Sequence, residues 1–133
     1  MAEKIFDLED RLVEFSCKII DIVELLPSTR AGNYIAGQLI RCGLAPALLY
    51  GEAQGAESRM DFIHKMKVVL KELKETRVCL KIISRKKMIT DVKLPEAKSE
   101  NDQLISITAK SIETAKRNMD TIKKNSSNLN IEH

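Results

Sequence analysis

Glu57, Asp61 and His64 recur at i, i+4 and i+7, so on a helix they share one face. Two carboxylates and an imidazole on one face are half of a metal site. Di-metal centres in helical bundles take Glu from two helices and a carboxylate-x-x-His motif from each of the other two. Asp61-Phe62-Ile63-His64 supplies one such motif, and the other histidine of the sequence is His133. The second motif is therefore missing, and no metal or other cofactor is expected. His64 also lies off the apolar line through Phe62, Met66 and Val69, which makes it a surface residue. Asp61 reads instead as a first-turn carboxylate that complements the positive end of a helix begun at Ser58. Phosphate-loop and nucleophile-elbow patterns are absent from the sequence. Glu72 and Glu75 read as solvated helix face rather than acid–base machinery. The chain is not expected to be an enzyme.

Four amphipathic segments would carry these residues. In the first, Leu8, Leu12, Phe15, Ile19, Ile22 and Leu26 are spaced 4, 3, 4, 3, 4, with Asp7 and Asp10 at its start and Pro27 at its end. In the second, from about Thr29 to Ala53, Ile35, Leu39, Cys42, Pro46, Leu49 and Ala53 form the seam. Pro46 cannot donate to the carbonyl of Cys42, so a bend is expected near Gly43. Gly43, Ala45 and Ala47 would let a neighbouring backbone come close. The third segment, from about Ser58 to Lys86, has Phe62, Met66, Val69, Leu73, Thr76, Leu80 and Ile83. The fourth, from about Glu100 to Lys124, has Ile105, Thr108, Ile112, Ala115, Met119 and Ile122, with Ser99 and Asp102 as its capping pair. Thr90 to Ser99 reads as a polar loop containing Pro95.

No segment has the two-residue period of a strand, so the fold class is all-α: an antiparallel up-down-up-down four-helix bundle over residues 1–124. Residues 125–133 read as a polar, disordered tail. Val13, Ile20, Ile40, Leu44, Leu48, Val68, Val78 and Ile82 are apolar but off the seams, a surplus that points to self-association. Aromatic residues make up only 4% of the chain, so the core must be aliphatic. No apolar run approaches the roughly 20 residues of a membrane span, and the start of the sequence lacks a signal-peptide pattern. Cys17, Cys42 and Cys79 are widely separated and sit in apolar helical patterns. They read as reduced core residues of a cytoplasmic protein.

Several ordered blocks, GNYIAGQLIRCG, EAQGAESRMDFIHKMKVVLKELKET and SIETAKRN, resemble the small bacterial four-helix proteins linked to intervening sequences in large-subunit ribosomal RNA genes. The likeness is to the Bacteroidota-type branch and spans Phe6 to Asn118. The resemblance implies an up-down-up-down bundle assembled into a ring-shaped homopentamer. It implies no enzymatic activity. A related branch, the accessory protein of diversity-generating retroelements, forms a basic pentameric ring that binds nucleic acid and a reverse transcriptase. The sequence departs from the family pattern at Cys42 to Pro46, at Leu49 to Gly51, at Cys79 and at Lys86 to Met88.

Charge is unevenly placed. Residues 1–30 hold four basic and seven acidic side chains, net −3, whereas residues 57–93 hold eleven and five, net +6. Lys71, Lys74, Arg77, Lys81, Arg85, Lys86 and Lys87 are the candidate contacts to RNA or DNA, because a basic stripe neutralises phosphates. Basic residues also make soluble helix faces and complement helix C-termini. Phe62 is the lone aromatic of that helix, which argues against base stacking. Two functions remain open at this point: an oligomeric scaffold that recruits a protein partner, and a ring that binds nucleic acid through its backbone.

Overall fold

Three short polar side chains start the first three helices. The Asp7 carboxylate accepts from the Asp10 amide at 3.1 Å, the Thr29 hydroxyl from Gly32 at 3.0 Å and the Ser58 hydroxyl from Asp61 at 3.0 Å. Each satisfies a backbone donor that the helix itself cannot. The helices that follow are α1 (Leu8–Leu25), α2 (Arg30–Gln54) and α3 (Arg59–Arg85), and α4 is Lys93–Ile131. The computed structural model describes the backbone of residues 7–131 and the side chains of residues 7–126; His133 lies outside the described residues.

Each helix packs against the next, and α4 closes the bundle on α1; among the described residues the diagonal helix pairs show no close backbone approach. This is the expected all-α four-helix architecture. The seam of α1 is buried as spaced: Leu8, Leu12, Phe15, Ile19 and Ile22. On α3, Met66, Val69, Leu73, Thr76, Leu80 and Ile83 face the same core. Burial of each large aliphatic side chain contributes on the order of 1.5–3 kcal/mol. Helix α2 runs without a break through Pro46, which is buried. Among the described residues, no helix is long and apolar enough to cross a membrane.

Helix α4 departs from its expected bounds and seam. It begins at Lys93, not Glu100, because the Asp91 carboxylate accepts from the Lys93 amide at 2.8 Å. Pro95 then sits in the first turn, where no intrahelical donor is needed. Ser99 and Asp102 are consequently inside the helix and cap nothing. The buried line is Leu94, Ala97, Asn101, Leu104, Thr108, Ile112 and Ala115. Ile105 is only half-buried and Ile122 is exposed. At the other end α4 continues past residue 124, to Ile131, into the segment read as a disordered tail.

Candidate functional site

The basic residues of α3 are sorted by the helix itself. Lys67, Lys71, Lys74, Val78, Lys81 and Arg85 follow a 4, 3, 4, 3, 4 spacing and therefore form one row. All of them are exposed, and Lys67, Lys71 and Lys74 share a shallow groove with Leu70 and Val78. From Lys71 to Arg85 the row is about 21 Å long at 1.5 Å per residue. Arg77 stands beside it, half-buried and turned toward α4. Lys86 and Lys87 do not continue it. Lys86 is the C-cap of α3, and Lys87 adopts a left-handed φ of 52°. The Lys87 amide donates to the Ser84 carbonyl and the Met88 amide to the Ile83 carbonyl, closing the helix in a Schellman turn. A lysine there carries a backbone cost of roughly 1 kcal/mol that glycine would avoid.

The acids that α3 itself carries near this row are engaged by α2. Glu72 is buried rather than solvated, and its carboxylate meets the Arg41 guanidinium at 3.1 Å. Glu75 borders the row, but its carboxylate is held by the same Arg41 at 2.7 Å. Both carboxylates are thus spent on α2. Among the described residues, none of Lys67, Lys71, Lys74, Arg77, Lys81 and Arg85 enters an ion pair. A further cation was not foreseen: Lys98 of α4 lines a groove of about 370 Å³ together with Arg77, Lys81, Asn101, Asp102 and Ser106. Only the α3–α4 register brings Lys98 there, and no local sequence signal carries that register.

Glu57 and His64 are exposed and Asp61 is half-buried at the start of α3. Among the described residues, no three His, Cys, Asp or Glu side chains converge into a metal-binding group.

A second surface is apolar. On α1, Arg11 and Lys18 mark the side that faces α4, since Arg11 pairs with Glu100 at 2.7 Å and Lys18 shares a groove with Pro95 and Ser99. Val13 and Ile20 lie on the other side of α1, outward and toward α2, Cys17 points directly away from the core, and all three are exposed. On α2, Gly43 contacts Ile19 and so marks the side that faces α1. Ile40 lies next to it and outward, whereas Leu44 and Leu48 follow Arg41 by three and seven residues and so lie across the outer face of α2 toward the side that reaches α3, with Leu48 72% exposed. Val13 and Ile20 on α1 and Ile40 on α2 therefore flank the α1–α2 seam, and Leu44 and Leu48 extend the apolar surface over the outer face of α2. The off-seam positions singled out in the sequence fall as expected: Val13, Ile20, Ile40, Leu48, Val78 and Ile82 are exposed, and Leu44 and Val68 are half-buried.

A family model described as 23S rRNA-intervening sequence protein matches residues 7–124, which span all four helices. The chain belongs to that family. Among solved structures it is similar to a protein of unknown function from the S23 ribosomal protein family of Bacteroides thetaiotaomicron VPI-5482. That likeness has a TM-score of 0.74 at 25% identity, over 80% of this chain and 98% of the other. No curated protein matches the chain. The 23S rRNA-intervening sequence family thus accounts for the bundle, and the Bacteroides relative is described without a function.

Proposed function

We propose that this family member is a non-enzymatic, self-assembling helical scaffold. The observation that carries the reading is the apolar outer surface of α1 and α2. Val13, Ile20, Ile40 and Leu48 are large apolar side chains left exposed on these two helices, with Leu44 half-buried among them, and such a surplus favours association. A second copy would cover it, and a closed ring would leave no copy with an open face. The homopentamer implied by the family resemblance is the assembly proposed. Light scattering of the purified chain at micromolar concentration should give about five times the 15.0 kDa monomer mass. Ile40→Glu with Leu48→Glu should return the mass to the monomer value while the helical circular-dichroism signal persists. A wild-type mass of one monomer would sink the reading.

A second reading rests on a different observation, the segregation of the α3 row from Glu72 and Glu75. In this reading the row contacts the phosphates of RNA or DNA, without base recognition, as an accessory to an RNA-processing or reverse-transcribing enzyme. Lys71, Lys74, Lys81 and Arg85 would make the main contacts, with Arg77 and Lys98 at the edge. Replacing Lys71, Lys74, Lys81 and Arg85 by Gln should flatten the log–log salt dependence by up to about 3–4 units, because each neutralised phosphate contributes about 0.9. A titration of labelled RNA and duplex DNA checks this. Absence of binding to either at about 50 mM salt, where phosphate contacts are strong, would leave the scaffold reading alone.

A further inference from the structure

The groove of about 370 Å³ between α3 and α4 brings three cations together, Arg77 and Lys81 from α3 and Lys98 from α4. Arg77 and Lys81 stand four residues apart, a like-charge pair that disfavours the helix carrying it. Packing α4 on α3 adds a third positive charge. Asp102 is the one carboxylate of the lining, and it follows Lys98 in the order less suited to an i, i+4 pair. Among the described residues, none of these four side chains enters an ion pair. Three cations against one carboxylate leave the groove a formal +2 that nothing else in its lining offsets. Ser106 adds an exposed hydroxyl, and the buried Leu80 and half-buried Ile105 add apolar lining. Arg77 and Lys98 are themselves half-buried, so water screens their charge less than it screens the exposed lysines of the α3 row.

We infer that this groove holds the terminal phosphate of a nucleic acid strand, a monoester, whose backbone then follows the α3 row. The inference rests on the nucleic-acid reading above and adds an end preference to it. Charge selects the monoester. At neutral pH a phosphate monoester carries about −1.5 to −2 on three free oxygens, which matches the +2 of the groove, whereas each internal phosphodiester carries a single charge. The donor types agree. A guanidinium fork takes two phosphate oxygens side by side, and the two ammoniums and the Ser106 hydroxyl are left for the third.

Continuity names the rest of the ligand. Lys81 belongs both to the groove and to the row, and Lys74, the next lysine of the row, is about 10 Å further along α3 at 1.5 Å per residue. A small phosphorylated molecule would use the groove alone and leave the row idle. A strand that ends in the groove uses both.

The test binds the full chain to one internally labelled oligoribonucleotide of about ten nucleotides, bearing a 5′-phosphate, a 3′-phosphate or hydroxyls at both ends, at about 50 mM salt and about pH 7.5. At least one phosphate-ended form should bind about tenfold more tightly than the hydroxyl form, the equivalent of one charge-assisted hydrogen bond. That ratio should fall toward 1 at about pH 5, where the monoester, with its second pKa near 6, carries a single charge as a diester does. Arg77→Gln with Lys98→Gln should abolish the ratio, whereas Lys67→Gln with Lys71→Gln should weaken all three forms and keep it. Equal affinity for the three forms would overturn the inference and leave the reading of backbone contacts standing. Binding of none of them would remove both. A ratio that survives the loss of Arg77 and Lys98 would place the strand end elsewhere and overturn the assignment. A nucleoside 5′-monophosphate that competes at the oligonucleotide's own concentration would make a free nucleotide the ligand, and the strand end would fall with it.

Discussion

Asn101→Asp should destabilise the bundle by about 3–5 kcal/mol at pH 7, a large part of the roughly 5–15 kcal/mol that holds a domain of this kind together. Asn101 is fully buried on the α3-facing side of α4. Its Nδ2 donates to the Leu73 carbonyl of α3 at 3.1 Å, while its Oδ1 is buried with no hydrogen-bond partner. The substitution is nearly isosteric, so packing barely changes. It removes the donor and turns a carboxylate toward the Leu73 carbonyl; Arg77, Lys81 and Lys98 line the groove beside residue 101, but they are half-buried or exposed and offset the burial cost only in part. Burial would raise the pKa of the new carboxyl above its unfolded value of about 3.9. The folded state would then bind more protons than the unfolded one, so the penalty should be full at neutral pH and should shrink as pH falls through the raised pKa. Urea unfolding at pH 7 and pH 4.5 measures both. A variant within about 1 kcal/mol of wild type at pH 7 would show that water reaches residue 101 and that the core is not closed there.

The same residue explains why α4 was the least legible helix. For α1, α2 and α3 the start is written locally, as Asp7, Thr29 and Ser58 each followed by the amide they cap. Their seams keep to apolar residues, apart from Thr76 on α3, whose hydroxyl is satisfied by the Glu72 carbonyl at 2.9 Å. On α4 the pattern is broken twice, by Pro95 in the first turn and by Asn101 in the core line. A reader of spacings is pushed one residue round the helix, from Leu104 to Ile105. The candidate surfaces divide in the same way. That α3 is basic is a matter of composition, and that Lys71, Lys74, Lys81 and Arg85 align is a matter of helical period. That Glu72 and Glu75 are engaged by Arg41 and that Lys98 joins Arg77 and Lys81 both depend on how neighbouring helices are registered. Register is fixed by long-range packing, which a single sequence does not display.

Gly43 should accept no side chain without moving α1 away from α2. A Cβ built there stands 2.7 Å from Cγ2 and 2.9 Å from Cγ1 of Ile19, closer than such atoms pack. Ile19 is fully buried on α1, and a β-branched residue in a helix has essentially one χ1 rotamer, so it cannot swing away. Alanine in place of glycine would favour the helix by about 1 kcal/mol, but separating α1 from α2 costs roughly 1–3 kcal/mol or more. Gly43→Ala should therefore be net destabilising, and Gly43→Val should lose about 3–5 kcal/mol. The cause is a single contact, so it should vanish with its partner. Ile19→Ala alone should cost about 2–5 kcal/mol through the cavity it leaves. In that background Gly43→Ala should be neutral or stabilising, a coupling of about 2 kcal/mol between the two sites. Gly37, one and a half turns away with open space around it, gives the contrast: Gly37→Ala should stabilise by about 0.5–1 kcal/mol. These comparisons belong in the Ile40→Glu, Leu48→Glu background, where subunit association cannot add to the unfolding free energy. Additive costs at Ile19 and Gly43 would mean that α1 and α2 do not touch there. The close approach also holds Ile20 and Ile40 on either side of one seam, so in the parent chain Gly43→Val should weaken assembly as well as folding.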